Sequence, residues 1–221
     1  ATGVDWPEVG AALLMDVDGV AAECEHTSAN AIELARKAGA LEIRVPKDAA
    51  ERELMWKGRK SAFAAVGRIA RNYLVQDGVI PRSEIARVLQ EIAALGRRYG
   101  LRVANVFHAG DGNLHPLVLF DAREPGEEKK AEEMSGEILR ICLRYGGSIT
   151  GEHGVGADKA PYMSEMFSAD DLETMQLLRC AFDPLGSFNP GKVFPSPRLC
   201  GDKPGLYRPH PTELSGEAWR A

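Results

Sequence analysis

Residues 105–115 read NVFHAGDGNLH, and the apolar runs LRVANVFH (101–108) and LHPLVLFD (114–121) overlap it at either end. Asp-Gly between two apolar runs is the strongest short hairpin signal, because both central residues of a type I′ turn take positive φ. A hairpin commits the chain to an antiparallel sheet. With Asp111-Gly112 as the two-residue centre, Gly110 pairs with Asn113, Ala109 with Leu114 and His108 with His115. Opposed residues share a face with Cβ atoms about 4.5–5.5 Å apart. The spacing therefore predicts two imidazoles side by side at the mouth of the turn.

The rest of the chain supplies the layers around that hairpin. GAALLMDVDG (10–19) reads as a buried strand closed by a turn, and LEIRVP (41–46) alternates as a half-buried strand does. A helix is expected over 28–40, and further helical pieces over 47–72, broken near Gly58 and Gly67. Pro81 and Ser83 open a helix whose Ile85, Val88, Leu89 and Ile92 form one stripe, with Gly100 placed to end it. Another runs over 125–147 with Ala131, Met134, Ile138, Cys142 and Tyr145 inward, and a last one starts at Ser168, where Asp171 completes a capping box. The order predicts an α+β fold: an antiparallel sheet with helices packed on one face, then a C-terminal helical return segment. The expected organisation is an α+β domain over 1–167 with its helical insertion at 47–72, the helix and NPGK segment at 168–195, and an irregular tail at 196–221.

A net charge of −5, with acids and bases interspersed, excludes a nucleic-acid or anionic-membrane partner as the main business of the surface. No apolar run approaches the roughly 20 residues of a membrane span. The four cysteines are scattered without C-x-x-C, so neither a disulfide framework nor a cysteine zinc site is expected and a reducing cytoplasm fits. The chain opens without methionine and enters its first expected strand almost at once, as a fragment would.

Two imidazoles hold a metal poorly without a third ligand. The glycine-rich GGSITGEHGVG (146–156) offers one, since Glu152 and His153 stand together in a segment able to approach closely. If the loop is extended there, adjacent side chains point opposite ways. Glu152 then joins His108 and His115 on the metal while His153 faces substrate as a general base. Two histidines and a carboxylate leave a coordination position open, the catalytic pattern. Gly151, Gly154 and Gly156 do not make a dinucleotide loop, because the order is G-x-x-G-x-G and no G-K-[ST] follows. On residues alone the chain is half of an oxidoreductase, a stand-alone metal-dependent hydrolase, or a non-catalytic docking module.

HAGDGNLHP, GGSITGEHGVG, FDPLGSFNPGKVFP and WKGRKSAFAAVGR together resemble the C-terminal domain of FAD-linked oxidases of the vanillyl-alcohol-oxidase type. The similarity runs from about residue 10 to 195 and is strongest to the flavin-bearing subunit of glycolate oxidase and to D-lactate and D-2-hydroxyglutarate dehydrogenases. The resemblance implies a ferredoxin-like cap domain over a flavin held by an N-terminal FAD-binding domain, which this chain does not contain. It implies oxidation of a small 2-hydroxy acid such as glycolate or D-lactate. It implies a divalent metal, zinc or manganese, on His108, His115 and Glu152, with His153 as the base and Asn113 as a polar substrate contact. Arg59 matches the arginine that pairs with the substrate carboxylate, although a solvated basic face with Lys57, Lys60 and Arg68 explains it equally well. The threonine and lysine that follow this arginine in the 2-hydroxyglutarate enzymes have no equivalents here, only Ala62 to Ala65 and YLVQDG. Lys192 of NPGK stands where the chain returns toward the cofactor. Partners implied are other glycolate oxidase subunits, among them an iron–sulfur protein, in a cytoplasmic assembly with peripheral attachment to the inner membrane left open.

Overall fold

The structure is a computed structural model and describes residues 9–195. The tail at 196–221 lies outside the described residues. The chain divides after Arg68 into two compact units, and the boundary drawn at 167 falls inside the second.

The first unit carries α1 (Ala21–Lys37), α2 (Ala49–Lys60) and the short α3 (Ala62–Val66). Asp48 caps α2 by accepting from the Glu51 amide at 2.8 Å. The helix runs through Gly58, which does not break it, and α3 stops at Gly67 as expected. The two strands expected at 10–19 and 41–46 do not form. Both stretches run without a β ladder, and Leu13 and Leu41 are 79% and 85% exposed. Their apolar character marks a face to be covered, but extended backbone becomes a strand only when another strand takes its amides and carbonyls, and none does so among the described residues.

The second unit is the α+β body. It contains β1 (Asn72–Val75), β2 (Gly78–Val79), a 3₁₀ turn at Arg82–Glu84, α4 (Ile85–Tyr99), β3 (Arg102–Asn105), β4 (Asn113–Leu114), β5 (Pro116–Phe120) and α5 (Glu127–Arg144). A second 3₁₀ turn (Ala160–Tyr162), α6 (Met163–Met166) and α7 (Ala169–Phe182) follow. One sheet is antiparallel in the order β1-β5-β3, and β2 pairs with β4 in a second. Gly100 ends α4 in the left-handed region at φ 69, as its position predicts.

One sheet face packs on α4 and α5. Leu114, Val118 and Phe120 meet Val88, Ile92 and Leu95 of α4 and Ala131, Met134, Ile138 and Cys142 of α5 in one buried cluster. Cys24 and Cys142 are free thiols, whereas Cys180 is disulfide-bonded, which the scattered spacing did not suggest.

Helix α7 begins with the expected capping box: Ser168 Oγ accepts from the Asp171 amide and the Asp171 carboxylate accepts from the Ser168 amide. Ser168→Ala is expected to cost about 1 kcal/mol, read as a lower urea midpoint at unchanged m-value.

Candidate functional site

The site is built where the two small sheets meet. Strand β1 pairs with β5 as far as Val75↔Leu117, and β2 pairs with β4 from Gly78↔Leu114. Both ladders keep one register, so Asp77 falls opposite His115 at the break between them. On its other side His115 faces Val106, whose amide donates to the His115 carbonyl at 3.3 Å. The hairpin register differs from the sequence expectation. His108 bridges to Asn113, not to His115, and the turn is the four-residue loop Ala109–Gly112. The reason is competition from β2: Gly112 gives its carbonyl to the Ile80 amide at 3.0 Å, and β4 is recruited to the neighbouring ladder. His108 becomes a diagonal neighbour of His115 on the same face, with ring centroids 5.6 Å apart and edge to face.

The GEHG loop lies over this face. An added Cβ on Gly151 would stand 2.7 Å from Val79 Cγ2 and 2.9 Å from Asn113 Cγ, so only glycine lets the backbone come this near. Asn113 is buried beneath it, and its Oδ1 has no hydrogen-bond partner among the described residues.

Asp77, which no sequence motif singled out, is the centre of the arrangement. Its side chain is fully buried, and Oδ2 accepts from Thr150 Oγ1 at 2.7 Å and from the amides of Gly151, Glu152 and His153 at 2.9, 3.1 and 2.9 Å. Lys159 Nζ reaches the same oxygen at 3.3 Å. Burial opposes ionisation of this carboxyl, but the hydrogen bonds from Thr150, His153 and Gly151 and the Lys159 charge outweigh it and hold it well below the usual carboxylate range.

Above Asp77 the side chains converge. His115 Nε2 lies 3.1 Å from Glu152 Oε1 and 3.4 Å from Asp77 Oδ1, and the His153 ring stacks on His115 at 4.8 Å. Burial first, and then the neighbouring His153, push the His115 pKa down against Glu152 and Asp77, favouring the neutral imidazole that a metal binds. Ligand atoms of Asp77, His115, Glu152 and His153 all lie within 4.8 Å of one another. Mixed imidazole and carboxylate donors suit zinc or manganese. Of the three ligands expected from sequence, His115 and Glu152 come together here and the exposed His108 stands outside the group.

His153 also lines a cleft of about 240 Å³ with Val75, residues 154–159 and Lys192. Lys192 is held there because Val193 donates its amide to the Gly156 carbonyl at 2.8 Å and Arg179 binds the Lys192, Phe188 and Asn189 carbonyls. Burial lowers the pKa of Lys159 in this wall, against the pull of Asp77. Arg59 lies on α2 in the first unit, half-buried near the C-terminal end of that helix.

Known proteins place the chain. It matches the family described as FAD linked oxidases, C-terminal domain, over residues 3–193. It is 48% identical to the glycolate oxidase subunit GlcD of Escherichia coli over 90% of this chain and 40% of that protein. Glycolate oxidase subunit GlcD of Bacillus subtilis shares 34% over 86% of this chain and 42% of its own length. D-lactate dehydrogenase of Anaerostipes hadrus shares 33% over 86% and 40%. The chain thus spans about two fifths of the length of these relatives. Among solved structures, 4-ethylphenol oxidase from Gulosibacter chungangensis shares the fold with a TM-score of 0.52 at 21% identity, over 77% of this chain and 37% of that one. With the family's model matched along nearly all of its described length, the chain belongs to the FAD linked oxidases, as their C-terminal domain.

Proposed function

We propose that this chain is the substrate-side domain of a flavoenzyme that oxidises a small 2-hydroxy acid, glycolate or D-lactate, to the 2-oxo acid. The observation that carries it is the convergence of His115, Glu152 and His153 on one another at the sheet break, beside a cleft of small-acid size. The names of the relatives, glycolate oxidase subunit and D-lactate dehydrogenase, support the substrate class. Family membership favours this reading over the hydrolase and docking alternatives left open by the residues.

His115 and Glu152 hold a divalent ion, zinc or manganese, with His108 as the third ligand: its exposed ring is already a diagonal neighbour of His115. Asp77 stays outside the ligand set because its Oδ2 is committed to the loop. Bound FAD supplies the acceptor for the C2 hydride, and the ion supplies the positive charge that acidifies the 2-hydroxyl. His153 Nε2 takes the hydroxyl proton, its half-exposed ring facing the cleft. Arg59 pairs with the substrate carboxylate, Asn113 Oδ1 is the buried acceptor for a substrate hydroxyl, and Lys192 closes the cofactor side of the cleft. The partners are an FAD-binding domain of the same protein and further subunits of a glycolate-oxidase-like assembly, including an iron–sulfur protein. Among the described residues no helix is long and apolar enough to cross a membrane, which is compatible with a cytoplasmic complex attached peripherally to the inner membrane.

Metal analysis and anaerobic stopped-flow on the full-length, flavin-loaded protein test the assignment. Wild type is expected to carry a divalent ion and to bleach its flavin with glycolate or D-lactate. His108→Ala loses the ion, whereas His153→Ala keeps it and slows flavin reduction by about a hundredfold. The reverse pattern, metal kept without His108 and lost without His153, exchanges the two roles.

A further inference from the structure

We infer that Asp77 is the positioning residue of this site: its buried carboxylate clamps Thr150–His153 in the one conformation that presents Glu152 and His153 to His115, without itself being a ligand. The inference rests on the proposed metal site for its consequence, but the clamp is a property of the loop alone.

Three successive amides, Gly151, Glu152 and His153, turn toward one carboxylate. Consecutive backbone N–H groups pointing inward make a concave anion-binding nest, and here the chain fills that nest with its own anion. Thr150 adds its hydroxyl and Lys159 its ammonium from the far end of the same loop. A carboxylate has about four lone-pair sites, and Asp77 Oδ2 already serves five donors. Oδ1 lies 3.3 Å from the Glu152 amide and 3.4 Å from His115 Nε2. To ligate an ion, Asp77 would have to release the loop that carries Glu152. The ladder geometry makes the clamp rigid, since Asp77 sits between two paired strands directly across from His115 and cannot shift without breaking one of them.

Lys159 gives the clamp its charge balance. It is 7% exposed, and its pairing with Asp77 ties the start of the loop to the turn that leads into α6. The loop is therefore anchored at the Thr150 and Lys159 ends, with the two chemistry-bearing side chains projecting between them.

Two measurements on the full-length protein decide this, using Co²⁺ as the probe ion and three variants, Asp77→Asn, Lys159→Met and Thr150→Val. The last removes a donor to Asp77 and no ligand atom. Hydrogen exchange of the 150–153 segment is expected to accelerate at least about tenfold in Asp77→Asn. Co²⁺ affinity should fall roughly 10–100-fold in Asp77→Asn and measurably in Thr150→Val and Lys159→Met. At saturating Co²⁺ the visible d–d bands of all three variants should return to those of wild type, because the ligands are unchanged. Unchanged exchange in Asp77→Asn would overturn the clamp. A shifted Co²⁺ spectrum in Asp77→Asn, with Thr150→Val binding as wild type does, would instead make Asp77 a ligand. If wild type takes up no Co²⁺, the metal reading falls by itself, and hydrogen exchange still decides the clamp.

Discussion

In a His115→Ala variant of the flavin-loaded protein, oxidation of the 2-hydroxy acid is expected to fall by about a thousandfold, with the divalent ion lost. Lewis-acid stabilisation by a bound metal is worth several kcal/mol, and every 1.36 kcal/mol is a factor of ten in rate. His115 is the residue on which the arrangement turns. It is 3% exposed, stands where one antiparallel ladder gives way to another, and has Glu152 at 3.1 Å and the His153 ring stacked against it. Because the position is buried, the measurement pairs elemental analysis and stopped-flow flavin reduction with thermal unfolding, and uses His115→Gln beside the alanine variant to preserve volume. Both variants should unfold cooperatively and both should be metal-free. Retention of stoichiometric metal by either, with a rate within tenfold of wild type, would remove His115 from the ligand set.

The second large effect is on stability. Gly147→Ala is expected to cost about 3 kcal/mol, the upper end for forcing atoms into a packed interior. A Cβ at Gly147 would collide with the Val79 carbonyl and stand 2.9 Å from the Cys142 carbonyl. That Val79 carbonyl accepts from the Ser148 amide at 2.9 Å, and the Val79 amide donates back to Ser148 at 3.0 Å, so the collision falls on the bridge that docks the GEHG loop to β2. For a domain of this size 1 kcal/mol corresponds to roughly 2–4 °C in Tm, which puts the expected drop near 6–12 °C. Gly110→Ala is the control: nothing lies within 4 Å of an added Cβ there and its φ is ordinary, so Tm should barely move. Equal melting of both variants would show that the loop can lift off β2 freely.

Much of the frame was legible in the residues. The α4 stripe, the inward set of α5, Gly100 as a left-handed cap and the Ser168–Asp171 box are local devices, set within one or two turns of chain. The same is true of the motifs: histidines flanking a glycine-rich turn and an acid–histidine pair in a glycine-rich loop needed no partner to be noticed. Two readings failed for one reason. The strands expected at 10–19 and 41–46 and the two-residue register of the hairpin both depend on which strand pairs with which. Strand β5 is buried along its whole length between two neighbours, so its burial pattern carries no alternation from which a register can be read.

Asp77 shows the division most clearly. In the sequence it is an acid before a glycine in YLVQDG, indistinguishable from a turn residue. Its partners in the GEHG loop and Lys159 lie 73 to 82 positions away, and it stands across from His115 only because β1 and β2 run against β5 and β4 in one unbroken register. By itself the sequence determined which side chains have metal and proton chemistry to offer, because that is a property of residue type and short spacing. Tertiary structure alone decided that Asp77 stands across from His115 and takes the GEHG amides, while His108 sits one diagonal away. Cross-strand register is set by competition among ladders for the same backbone donors, a long-range choice that no local window contains.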